Sequence, residues 1–112
     1  MIGNLFDLAG IDPAAERFST VLQSRDVRIE RIVSYGQASP PGFWHDQAVG
    51  EWVVLLAGAA ALRFDGDAAA LILRPGDHAH IAAGRRHRVD WTAAEGATIW
   101  LAVHLPRANE AP

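Results

Sequence analysis

The sequence predicts an all-β fold, a sandwich or a barrel, and three observations carry that expectation. Seven or eight short apolar runs follow one another from residue 27 to residue 105, several with period-two alternation. Clusters of Gly, Pro and Asp separate them at short intervals. Helical spacing is confined to one segment near the N-terminus. Strand patterning alone does not choose between the two architectures.

The elements follow in order. In "IDPAAERFSTVLQS" Asp12 is a natural N-cap, Pro13 suits a first helical position, and Phe18, Val21 and Leu22 fall at helical spacing. A short helix over about residues 12–24, laid against a sheet, is expected. In "VRIERIVSY" Val27, Ile29 and Val33 alternate with Arg28, Glu30 and Ser34, which reads as a strand, with Arg31 and Ile32 off the pattern. "GQASPPG" is a loop. "EWVVLLAG" is apolar on both faces, so both sides of that strand should be covered. Asp65-Gly66 promises a two-residue hairpin turn with positive φ angles. "HAHIA", "HRVDW" and "ATIWLAVHL" complete the strands, and the polar tail 106–112 is expected to fray.

Composition narrows the function classes. A chain of 112 residues is read as one domain, able to bury roughly 65% of its unfolded surface. It has no cysteine, which excludes disulfides, thiolate metal sites and cysteine nucleophiles. A formal charge of −3 argues against a nucleic-acid partner. No run reaches the ~18 apolar residues of a membrane helix, and the start has no signal-peptide pattern, so a cytoplasmic protein is expected. Half of the residues are hydrophobic, generous for a small monomer, and this suggests a homodimer.

The chemistry-bearing residues concentrate in "FWHDQAVGEW". His45 and Gln47 are two apart and share a face in an extended segment, and a turn over residues 48–50 would bring Glu51 opposite them. His87 opens a strand in which Val89 and Trp91 share its face, so it should point inward. Two imidazoles, a carboxylate and an amide would then meet in one interior.

At these residues the chain resembles the cupin superfamily, in particular its small single-domain members. His45, Gln47 two later, Glu51 four later and Gly58 after six intervening residues follow the first cupin motif. Gly76, "AAG" and His87 follow the second. Ser39, Ala82 and Trp91 depart from the family's glycine, proline and asparagine, and Gln47 stands where a histidine is usual. The resemblance implies a double-stranded β-helix (jelly-roll) barrel over about residues 27–105. It also implies His45, Gln47, Glu51 and His87 as metal ligands, the amide being the weakest of them. Two histidines and a carboxylate suit Fe(II) and are acceptable to Mn, Ni or Zn. Dioxygenase, isomerase and decarboxylase activities all occur within such a resemblance, with Glu51 as ligand or general base. The alternative is a non-catalytic barrel that binds a small ligand with a weakened or absent metal site.

Phe43, Trp91 and Arg85 are expected to line the substrate pocket, Trp91 as an aromatic wall and Arg85 as a clamp for a carboxylate or phosphate. A solvated turn is the plainer account of Arg85. His78 and His80 are expected on an outer face, His104 as a satisfied edge or core histidine, and Trp52 at a dimer contact. No serine elbow or phosphate-binding glycine loop is present.

Overall fold

The computed structural model describes residues 2–105; the tail 106–112, expected to fray, lies outside the described residues. Eight strands and no helix occur among them. The strands are β1 (Arg17–Gln23), β2 (Arg28–Ser34), β3 (Glu51–Ala57), β4 (Ala60–Phe64), β5 (Leu71–Leu73), β6 (His78–Ile81), β7 (His87–Thr92) and β8 (Thr98–His104).

The expected N-terminal helix is absent. Asp12 does accept from the Ala14 amide (2.9 Å), but it caps a turn, and the chain is extended from Arg17 onward. Phe18, Thr20 and Val21 are aromatic or β-branched, and β2 pairs the strand antiparallel from Arg17 to Gln23 with Val21 left out of register. The ladder shifts between Thr20 and Leu22. One extra residue there interrupts the alternation, so apolar positions 18, 21 and 22 imitate a helical face.

A five-stranded sheet runs in the order β1-β2-β8-β3-β6 and a three-stranded one in the order β5-β4-β7. All their pairings are antiparallel. Among the described residues no ladder joins the two sheets, so the barrel expected from sequence is not closed. Between them lies one core. Val53 and Leu55 come from β3, Ala60 and Leu62 from β4, Leu73 from β5, Ile81 from β6, and Trp100 and Ala102 from β8. Leu55 and Leu62 are fully buried, and each such side chain contributes about 1.5–3 kcal/mol.

Two turns hold the frame. Gly58 closes β3 at φ +83, and a Cβ there would stand 2.4 Å from Thr98 Oγ1 and 2.7 Å from Thr98 Cα, so only glycine fits between β3 and β8. The β4–β5 connection is longer than the two-residue turn expected. It spans residues 65–70, and Gly66, not Asp65, takes the positive φ.

Candidate functional site

The segment before β3 docks on β7 as a partial strand. His45 N donates to His87 O (2.7 Å) and His87 N to His45 O (3.1 Å). Upstream, Ser39 N donates to Val89 O (2.9 Å), and the Ser39 hydroxyl accepts from Val89 N (3.0 Å). Ser39, the departure from the family's glycine, thus acts as a side-chain latch. Arg88 clamps the loop between these points. Its guanidinium donates to the carbonyls of Ser39 (3.1 Å), Pro40 (3.1 Å) and Phe43 (3.2 Å), and pairs with Asp90 (2.8 Å). Gly84 N on Gln47 O (2.8 Å) fixes the far end.

So positioned, His45, Gln47, Glu51 and His87 all line one cavity of about 170 Å³ between the sheets. His45 and His87 stack with ring centroids 5.3 Å apart. Glu51 opens β3, is 6% exposed, and sets Oε1 3.5 Å from His87 Nε2. His87 Nδ1 lies 2.9 Å from the Arg85 carbonyl, which only accepts, so Nδ1 carries a proton. In the neutral ring the Nε2 lone pair then faces the Glu51 carboxylate. Gln47 Oε1 is buried without a hydrogen-bond partner.

Electrostatics separate the two imidazoles. Burial disfavours the His87 imidazolium, but the Glu51 hydrogen bond, the Arg85 carbonyl and the Glu51 charge outweigh it, so its pKa rises above the ordinary 6.5. Burial, helped by charge on His87, pushes His45 below 6.5 against the pull of Glu51 and Glu16. Among the described residues, no group of three or more His, Cys, Asp or Glu side chains stands close enough to hold a metal ion.

The expected pocket walls differ. The β4–β7 ladder shifts between Ala61 and Leu62, so Asp90 is an extra residue on β7. His87 and Val89 face the cavity, but after this bulge Trp91 is outside its lining and 41% exposed. Arg85 lies over the Phe64 ring (4.5 Å) and donates to Asp65 O, away from the cavity. Phe43 stands behind His45, edge-on at 4.8 Å, and is not part of the lining. His78 and His80 are exposed on β6, where His78 Nδ1 accepts from Trp52 Nε1 (3.3 Å).

Other residues enter that the sequence did not place in the pocket. Glu16, Glu30, Ser39 and His104 line the same cavity, His104 Nε2 lying 3.4 Å from Glu30 Oε1. Glu30 and Ile32 place the cavity face of β2 on the row opposite Ile29 and Val33. The other face carries Arg31, which donates to the carbonyls of Leu5 (3.2 Å) and Asp7 (2.6 Å) in the N-terminal segment. In β8, Trp100, Ala102 and His104 share the inner face, but Ile99, Leu101 and Val103 on the outer face are equally apolar, so no alternation marked it.

Comparison with known proteins agrees with this architecture. A protein of Ralstonia eutropha named a "putative mannose-6-phosphate isomerase" is 46% identical, with a TM-score of 0.87 over 95% of this chain and 98% of its own. A Thermus thermophilus protein is 25% identical with a TM-score of 0.76, covering 94% of this chain and 96% of its own. A cupin superfamily protein of Desulfitobacterium hafniense, 19% identical, shares the fold at a TM-score of 0.71 over 88% of this chain and 84% of its own. Among curated proteins none matches the sequence. The family model for the cupin domain matches residues 31–104, from β2 to the end of β8. The chain belongs to the cupin family.

Proposed function

We propose that this cupin binds a divalent metal ion, Fe(II), Mn, Ni or Zn, in the cavity and isomerises a small hydroxy-carbonyl molecule there. One observation carries the reading: Gln47, whose Oε1 is buried without a partner, lines the same cavity as His87 and Glu51, whose Nε2 and Oε1 lie 3.5 Å apart. Buried acceptors of this kind need a partner. His45, Gln47, Glu51 and His87 have the donor chemistry to hold a divalent ion. The fit rests on that chemistry, because the three stronger donors are not gathered at ligand distances. An ion bound there supplies a Lewis acid that polarises a ligand oxygen. Glu51, when it is not a ligand, is the carboxylate able to take a proton from the hydroxyl-bearing carbon beside the carbonyl and return it to the carbonyl carbon, while the hydroxyl proton passes to the former carbonyl oxygen. This exchange needs no oxidant, and the name of the Ralstonia protein supports isomerase chemistry over oxygenation. Val53, Leu62, Ile81 and Val89 add apolar wall to the same cavity.

The second reading, a non-catalytic ligand-binding cupin, is favoured by the weak amide donor and the spacing of the other three. Anaerobic metal titration of the wild type beside Glu51→Ala and His87→Ala separates the two. The catalytic reading expects saturable uptake that weakens about tenfold or more in each variant. Ligand binding that persists without any uptake supports the second reading. Trp52, Val54 and Leu56, partly exposed on the outer face of β3, support pairing of two copies; a monomer at high concentration contradicts it.

A further inference from the structure

The cavity holds a second imidazole–carboxylate pair that the metal reading does not use. Glu30 and His104 are 14% and 12% exposed. His104 is the register partner of Glu51 on the adjacent strand, so His87–Glu51 and His104–Glu30 stand side by side along the wall. Glu16, held by the Ser34 hydroxyl, adds a third carboxylate.

Among the described residues, no arginine lines this space. Neighbouring arginines are engaged elsewhere: Arg85 on Phe64 and Asp65, Arg86 on Asp65, Arg63 and Arg88 on Asp90. Arg28 is the register partner of His104 on its other side, but it is exposed and outside the lining. A phosphorylated ligand would therefore meet three carboxylates and, among the described residues, no guanidinium, and like charges brought together away from water oppose binding. The lining is also rich in acceptors: ionised carboxylates only accept, and Gln47 Oε1 is unpartnered. The complementary ligand donates hydrogen bonds. At about 170 Å³ the cavity has room for about six waters at about 30 Å³ each, which fits a small molecule.

We propose that the cavity takes an uncharged, hydroxyl-rich small molecule and rejects phosphorylated ones, with Glu30 and His104 as hydroxyl anchors beside the metal-binding set. The inference rests on the metal reading in one respect: a bound dication disfavours a cationic amine and leaves the neutral polyol or hydroxy-carbonyl. Glu30 and His104 are specificity-determining residues under this proposal.

Calorimetry on the full chain, titrated with metal, tests it with three pairs of probes: glycerol and its phosphate, dihydroxyacetone and its phosphate, mannose and mannose 6-phosphate. At least one uncharged member is expected to bind, with its phosphorylated partner about tenfold weaker or more. Glu30→Gln, nearly isosteric, and His104→Gln are expected to weaken the uncharged member about fivefold or more while metal content is unchanged. Glu30→Gln is also expected to narrow the gap between the two members. No binding by any uncharged member overturns the proposal, as does a phosphorylated member bound as tightly as its partner. Variants that bind the uncharged member like wild type overturn the anchoring role. Metal content measured on the same samples keeps the two readings apart. Preference for the uncharged member without metal uptake removes only the metal reading; metal uptake with preference for the phosphate removes only this one.

Discussion

His45 and His87 exchange both of their backbone hydrogen bonds, at 2.7 and 3.1 Å, although His45 lies in no strand longer than this bridge. Their rings consequently stack over the same cavity. What holds the bridge is the loop docked beneath Arg88, so the geometry of the site depends on a residue whose guanidinium points away from it.

Arg88→Ala is therefore expected to destabilise the fold by about 3 kcal/mol, because it leaves Asp90 without this partner and strips three loop carbonyls of their donor. Arg88→Lys should recover only part of that loss, since an ammonium lacks the planar fork that reaches several acceptors at once. Urea denaturation of the two variants beside wild type measures it.

Gly58→Ala is expected to cost about 3 kcal/mol or more in the same assay, from a side chain at positive φ and an overpacked contact with Thr98. Gly66→Ala is the control, because it shares the positive φ but has open space around the added Cβ. It should cost less.

Gln47→Leu separates stability from function. Removing a buried acceptor that has no partner should leave folding unchanged or stabilise it by about 1 kcal/mol, while metal uptake weakens. Thermal melts and metal titration on one preparation read both effects. A variant less stable than wild type contradicts this account of the amide.

The metal-free protein should show two histidines displaced in opposite directions. Folded His87 holds its proton above pH 6.5, so its contribution to stability is complete below 6.5 and fades as pH rises through the folded-state value. His45 behaves oppositely. Its cost is absent above 6.5 and grows as pH falls from there toward its lower folded-state value. NMR titration of the imidazole protons checks both. In Glu51→Gln, which removes the partner charge but keeps the burial, His87 should fall below 6.5.

The cavity set was legible because its spacing is local: His45, Gln47 and Glu51 lie within seven positions, and His87 follows its own turn. Residues whose facing depends on a bulge were not legible. An extra residue in β1 made Phe18, Val21 and Leu22 look helical, and Asp90 turned Trp91 out of the pocket. Glu30 and His104 were hidden for another reason. Strands β2 and β8 carry apolar side chains on both faces, so alternation could not mark the inner one. Arg85 was drawn off by Phe64 and Asp65, partners distant in sequence.

The central claim, that His45, Gln47, Glu51 and His87 form a metal site, is tested most directly by metal content. Untagged protein, purified without chelator, is exposed anaerobically to Fe(II), Mn(II), Ni(II) and Zn(II), and its bound metal is counted after gel filtration. About one ion per chain is expected for at least one of the four metals. Protein that retains none of them contradicts it.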